Sequence, residues 1–387
     1  MSEWFKILKP VEIFVGADNE DLVFAKTILI HKEKFPDIEG ADIAIVGIPE
    51  YRNSLNNHGT ENSLNEIRKY LYSLANRMQR LKIVDLGDIT LGNTPEDTYI
   101  AASEVIAELL KKSIFPIILG GSNDILYANY LAYEKIGQIV NIASIDSDFD
   151  ISTPESQFNS KTYLNKIVLR NPNYLFNFTN IGYQSYFVDD AKTEIMQKMY
   201  FDTYRLGVVR SNLEEVEPLV RNSDIVSIDI SAIRQSDSPA NKNASPNGFY
   251  GEEICQFCRY VGMSDKVSSV GIYEYNPTLD NNYQSAHLIA QMIWFIIDGY
   301  YNRKNDIPDR ESDNYSKFHV FNDKIDDKIV FYKSKKTGRW WMEVPYPAKK
   351  VEKFQRHYLV ACSYNDYKTA MNNEIPERLW NTLKKIM

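Results

Sequence analysis

Short, dense apolar runs alternate with helix-length segments along most of the chain. Asp42–Pro49, Leu81–Asp88, Phe115–Gly121 and Ile139–Asp146 are rich in Val, Ile and Leu and end in Gly, Pro or Asp. They read as strands buried on both faces. Tyr174–Tyr183, Tyr204–Val208, Asp224–Ser231 and Lys266–Asn276 continue the series. Helices are predicted at Leu64–Arg77, Pro95–Lys112, Asp124–Glu134, Val188–Met199, Asn212–Arg221, Gly251–Val261 and Tyr283–Tyr301. Pro95 falls in a first turn, where its missing N–H is least damaging. This βαβα order predicts an α/β fold, a doubly wound parallel sheet with helices on both faces. Residues 1–40 carry no clear pattern.

The pattern changes near Asn302. A charged, breaker-rich stretch at 303–312 reads as a linker between an α/β domain, 1–302, and a C-terminal extension, 313–387. Within the extension, Lys328–Lys333 and Arg339–Val344 alternate around S-K-K-T-G, a hairpin signal, and Pro376–Ile386 is a predicted helix. Trp340 and Trp341 take packing roles by default. The extension offers surface for a homo-oligomer contact, a lid or a protein partner.

Composition narrows the partners. A net charge of −8 and a pI of about 5.4 argue against nucleic acid. No apolar run reaches the ~20 residues of a membrane span, and the N-terminus lacks a secretory h-region. Three cysteines are too few for a disulfide framework. Cys255 and Cys258 form C-x-x-C inside a helical pattern and read as helix-face residues. A cytoplasmic location is expected. Lys333–Lys336 reads as a solvated hairpin tip.

The candidate chemistry sits at the strand ends, where ligands collect in open parallel sheets. Ile139–Asp146 ends in a burst of acid, with Asp146, Asp148 and Asp150 on alternate residues. A continued strand would turn all three carboxylates to one side, poised for a cation or solvated as an acidic loop. Three more strand ends are polar: Gly120-Gly121-Ser122-Asn123-Asp124, Ser227-Ile228-Asp229-Ile230-Ser231 and Glu274-Tyr275-Asn276-Pro277. The two glycines are expected to permit a tight turn.

Taken together over residues 40–302, these segments resemble the ureohydrolases: arginase, agmatinase and formimidoylglutamase. The family pattern is G-G-D-H, D-A-H-x-D, S-x-D-x-D and E-x-N-P. Pro246-Asn247-Gly248-Phe249-Tyr250-Gly251-Glu252-Glu253 is similar to formimidoylglutamase-like members. The resemblance implies a three-layer α/β/α fold around a binuclear manganese site, hydrolysing a guanidino or formimino C–N bond. It places metal ligands at Asp146, Asp150 and Asp229, and a substrate-facing Glu at Glu274. It also exposes substitutions. Asn123 and Asp148 stand where the family has histidines, Ser122 and Ser231 where it has aspartates, and no shuttle histidine follows Asp150.

The altered set is all oxygen, with Asn123 and Ser231 as weak neutral donors, and suits a hard ion better than histidine-held Mn²⁺. The expectation is therefore a protein without bound cofactor; one Mg²⁺ or Ca²⁺, or Mn²⁺ in an active enzyme, is the alternative. In the absence of an ion, Arg234 is the nearest cation by sequence. The function expected is a catalytically silent scaffold, sensor or protein-binding subunit, a pseudoenzyme. The alternative is a C–N hydrolase of the formimidoylglutamase or guanidino type; a simple binder of a small cation is a third reading. His287 reads as a partly buried packing residue and His58 as a pocket-rim candidate.

Overall fold

The computed structural model describes residues 4–12, 22–60, 63–308, 312–325, 327–345 and 355–386. The predicted alternation folds into one large sheet. Its strands are β1 (Leu8–Lys9), β2 (Leu29–Ile30), β3 (Ile43–Ile48), β4 (Ile83–Ile89), β5 (Phe115–Gly120), β6 (Val140–Ile145), β7 (Leu175–Tyr183), β8 (Asp202–Arg205), β9 (Ile225–Asp229) and β10 (Ser269–Tyr273). The spatial order is β1-β4-β3-β5-β10-β9-β6-β7-β8, with β2 also against β4. Only β1 runs antiparallel to its neighbour among these described strands.

Burial on both faces explains the unbroken apolar runs. Ile43 and Ile45 pack into one core with residues of the helices Gly251–Met263 and Gln284–Tyr301. The alternate residues Ala44, Val46 and Ile48 pack into the opposite core, with the helices Pro95–Lys111 and Ile125–Lys135. A period of two thus feeds two helical layers from one strand. The Pro95 helix begins as expected, with Thr94 and Asp97 forming a reciprocal cap.

The arrangement that matters for chemistry is central. β5, β10, β9 and β6 lie side by side and parallel, so the four polar strand ends open at one edge of the sheet. Some local predictions fail, among them the helix expected at Leu64–Arg77, which ends at Ser73. The run Tyr204–Val208 leaves the sheet after Arg205 and turns into the helix Leu206–Ser211, which buries Val209 and exposes Val208. Periodicity cannot separate strand from helix over so few residues. The helix expected at Asn212–Arg221 is shorter, Val216–Arg221, after a 3₁₀ turn at Leu213–Glu215.

Beyond residue 312, the predicted hairpin is the middle of a four-stranded antiparallel sheet: β11 (Tyr315–Asn322), β12 (Asp327–Ser334), β13 (Trp340–Glu343) and β14 (Leu359–Cys362). It packs with the helices Tyr364–Met371 and Glu377–Ile386 around Ile329, Phe331, Trp340, Met342, Val360 and Leu379. Arg221 ties the helix Val216–Arg221 to this sheet. Its guanidinium donates to the carbonyls of Trp340 (3.1 Å) and Cys362 (3.2 Å) and lies 4.4 Å from the Trp341 ring centroid. Residues 309–311 of the predicted linker lie outside the described residues. Nearby Asp306 is buried and accepts from Tyr315 Oη (2.6 Å) and Ser334 Oγ (3.0 Å). Among the described residues, no helix is long and apolar enough to cross a membrane.

Candidate metal centre

Three of the predicted acids converge. Asp146 follows β6, Asp150 lies beyond it, and Asp229 ends β9; donor oxygens of all three fall within 4.8 Å of one another, and all are buried. The strand does not continue past Ile145. Asp146 Oδ1 instead accepts from the Asp148 N–H (3.0 Å), and Asp150 takes a left-handed φ of 49°. That turn brings Asp150 back beside Asp146 and sends Asp148 elsewhere. The expectation of three aligned carboxylates is therefore corrected. Both oxygens of Asp148 are held by Lys192 Nζ at 2.8 Å.

The β5 end approaches from the other side. Gly121 provides a close approach: a Cβ there would lie 2.0 Å from the Glu50 carbonyl oxygen. Its φ is not left-handed, and the chain bends at Gly121 and Ser122 and turns through Asn123 and Asp124 into the helix Ile125–Lys135. Two residues on, the Asn123 amide donates to Asp150 (2.8 Å) and Asp146 (3.2 Å), while its oxygen accepts from Ser227 Oγ (3.3 Å). In this orientation Asn123 is a donor to the carboxylates, the opposite of a ligand. Ser231 is also out of the set: its Oγ faces Ser147 Oγ at 3.3 Å, and its N–H donates to Asp229 Oδ1 at 2.7 Å.

Glu274, after β10, completes the acidic end. Its N–H donates to the Gly121 carbonyl (2.7 Å) and its backbone is left-handed at φ 70°. Asn57 Nδ2 donates to Glu274 Oε2 (2.7 Å) and to its carbonyl (2.9 Å), and the Asn123 N–H donates to Oε1 (2.9 Å).

Burying so much like charge shifts its titration. Burial, then Asp150 and Asp229, push Asp146 well above the carboxylate range, and Asp150 is raised chiefly by burial. Burial with Asp229 nearby raises Glu274 to about 8. Among the described residues, the cation that meets this charge is not Arg234. That guanidinium pairs with Asp237 (2.8 Å) and covers the Tyr250 ring at 3.7 Å. Lys161 reaches in instead, its Nζ 3.2 Å from Asp150 Oδ1 and 3.3 Å from Asp229 Oδ2. Burial opposes its charge, but Asp150, Asp146, Asp229 and Glu274 outweigh that and hold the ammonium well above its ordinary pKa.

Lys161, Lys192 and Asn57 lie outside every motif, so sequence reasoning missed them. Only the tertiary fold brings them to the acids. His58 is exposed and contributes its carbonyl to Asn276 Nδ2; His287 is exposed and stacks on Tyr70, with 5.1 Å between centroids.

The sequence model of the Arginase family matches residues 41–298, two thirds of the chain and all four strand ends. The chain belongs to the arginase family. Among curated relatives, formimidoylglutamase from Staphylococcus epidermidis is 26% identical over 243 residues, 61% of this chain and 78% of that protein. Among solved structures, Bacillus subtilis formimidoylglutamase aligns with a TM-score of 0.67 at 18% identity, covering 78% of this chain and 98% of that one. Trypanosoma cruzi formiminoglutamase, solved with Mn²⁺₂, aligns at 0.66 and 22%, covering 74% and 100%.

These matches identify a formimidoylglutamase-like member of the family and the arginase-like α/β fold. They overturn the expectation of no cofactor: the T. cruzi neighbour holds Mn²⁺₂, and the Asp cluster persists here. The donor set fits such an ion, since carboxylate oxygens suit Mn²⁺. Asp146, Asp150 and Asp229 would hold it. Asp148, tied to Lys192, and Ser231, turned to Ser147, do not extend the cluster toward a second ion.

Proposed function

We propose that this chain is a manganese-dependent hydrolase of a linear amidine C–N bond, of the formimidoylglutamase kind. The observation that carries the reading is the convergence of Asp146, Asp150 and Asp229 at the ends of adjacent strands, with Glu274 beside them. A bound metal supplies Lewis acidity and activates water. The protein's own residues do the rest. Asn57 and the Asn123 N–H fix the Glu274 carboxyl, which is the group that would face a planar, cationic amidine through paired N–H···O contacts. Burial, with Asp229 nearby, raises that carboxyl to about 8 in the metal-free protein, and a cationic amidine beside it would favour the carboxylate form.

The test is release of formamide or urea from formimino and guanidino substrates by purified protein loaded with Mn²⁺. Turnover that requires Mn²⁺ and is abolished by Asp229→Asn supports the reading. Absence of turnover across both substrate classes with manganese saturating would overturn it. A second reading, a scaffold without catalysis, draws on the ammonium of Lys161 inside the cluster and on Lys192 at Asp148. The same assay separates the two.

A further inference from the structure

We propose that Lys161 is a built-in counter-cation of the acid cluster, so that its ammonium and a divalent metal ion exclude one another. The inference rests on reading Asp146, Asp150 and Asp229 as the metal ligands, and goes beyond it by assigning a competing group within the chain.

Three observations lead there. First, the ammonium bridges two of the three carboxylates, at 3.2 and 3.3 Å, in the space an ion bound to those oxygens would take. Among the described residues, no hydrogen bond reaches Asp150 Oδ1; it is met by the ion pair with Lys161. Second, the reach is set by the backbone. Ser160 N–H donates to the Asn53 carbonyl (2.9 Å), Ser160 Oγ accepts from the Leu55 N–H (3.0 Å), and Lys161 N–H donates to Asn159 Oδ1 (2.8 Å). The loop is thus anchored beside the acids, and the long side chain spans the remaining gap. Third, Lys161 borders solvent where the acids do not. Its side chain is 17% exposed, while Asp146, Asp150, Asp229 and Glu274 are each at most 1% exposed. The lysine side chain is thus the member of the cluster that reaches solvent, and an outward swing of its ammonium is what the proposal requires.

Removing one partner of a buried ion pair is destabilising, so this arrangement is expected to stabilise the metal-free protein. Two cations among the same oxygens would repel at short range. Metal entry therefore requires the lysine to swing outward, and the metal's apparent affinity is reduced by the population in which Lys161 is seated.

The test uses the full chain stripped with chelator, as wild type, Lys161→Met and Lys161→Arg. Mn²⁺ binding is read by calorimetry and bound-metal analysis, and stability by thermal unfolding. Lys161→Met is expected to bind Mn²⁺ at least about tenfold more tightly than wild type. Without metal it should melt lower than wild type, and Mn²⁺ should restore it. Lys161→Arg should keep the metal-free stability and bind Mn²⁺ no more tightly than wild type. If Lys161→Met is recovered folded only in the presence of Mn²⁺, the proposal is supported equally. A Lys161→Met protein with wild-type affinity, or with no metal uptake, overturns it.

Amine-directed labelling of wild type gives an independent readout. Lys161 should react faster once Mn²⁺ binds; an unchanged rate with manganese bound overturns the proposal. The two readings fail separately. Equal affinity in wild type and Lys161→Met with turnover intact sinks the lysine's role and spares the hydrolase. Metal uptake only by Lys161→Met, with no turnover in any variant, sinks the hydrolase and spares the lysine's role.

Discussion

Asn57→Ala tests how Glu274 is held. Asn57 is fully buried and makes four side-chain hydrogen bonds. It donates to Glu274 Oε2 (2.7 Å) and the Glu274 carbonyl (2.9 Å), and accepts from Lys242 N–H (3.1 Å) and Asn276 Nδ2 (3.3 Å). Glu274 itself sits at φ 70°, a conformation worth about 1–2 kcal/mol of strain in a residue with a side chain. Asn57 is one of the groups that over-determine it, with Asn241 Nδ2 (3.0 Å) and the Gly121 carbonyl. At about 1 kcal/mol per bond, with partial rescue by an entering water, the truncation should cost about 3 kcal/mol. A chain of 387 residues has an unfolding entropy of roughly 0.8 kcal/mol per kelvin, so Tm should fall by about 4 °C. Calorimetry at neutral pH gives the shift, and Mn²⁺-loaded turnover should show a raised KM as the Glu274 carboxyl loses its fixed orientation. A Tm within 1 °C of wild type, with KM unchanged, would show that Asn57 does not hold Glu274.

Other consequences are local. Arg68 is wholly buried with Asp85 (2.9 and 3.1 Å) and Asp88 (2.5 Å), so Arg68→Met should lose about 3–5 kcal/mol in urea unfolding. Adding Asp85→Asn should recover part of that loss. For Asp224, burial pushes the pKa up, but Lys266, His357 and Arg356 outweigh it and hold the folded-state value below the ordinary 3.8. Its stabilisation is therefore complete above pH ~4 and lost as pH falls through the depressed value. Asp224→Asn should flatten the stability profile in that acid window. Cys255, Cys258 and Cys362 are buried, with burial raising all three thiols, Cys255 to about 12. A thiol reagent at mildly alkaline pH should label none of them before denaturant is added.

Most of the large sheet was legible because its strands are buried on both faces and their apolar runs have sharp polar ends. The order of those ends also located Asp146, Asp150, Asp229 and Glu274. What failed was side-chain direction. Asp148 shares the spacing of its neighbours, but the left-handed turn at Asp150 rearranges the segment, and Lys192 from a later helix captures Asp148. Alternation rules hold only while strand geometry lasts. Lys161 was invisible for another reason: nothing in its local sequence distinguishes it from a solvated lysine, and only loop anchoring at Asn53 and Leu55 aims it at the acids. In the C-terminal sheet, β14 is four residues long and lies far along the chain from β13, its partner, so no hairpin signal announced it.

A crystal of the chain grown with Mn²⁺ and measured at the manganese absorption edge tests the metal reading most directly. The expected result is an anomalous peak bound by Asp146, Asp150 and Asp229, with the Lys161 side chain turned out toward solvent. No peak in the cluster at saturating manganese, with Lys161 still seated against Asp150 and Asp229, would contradict it.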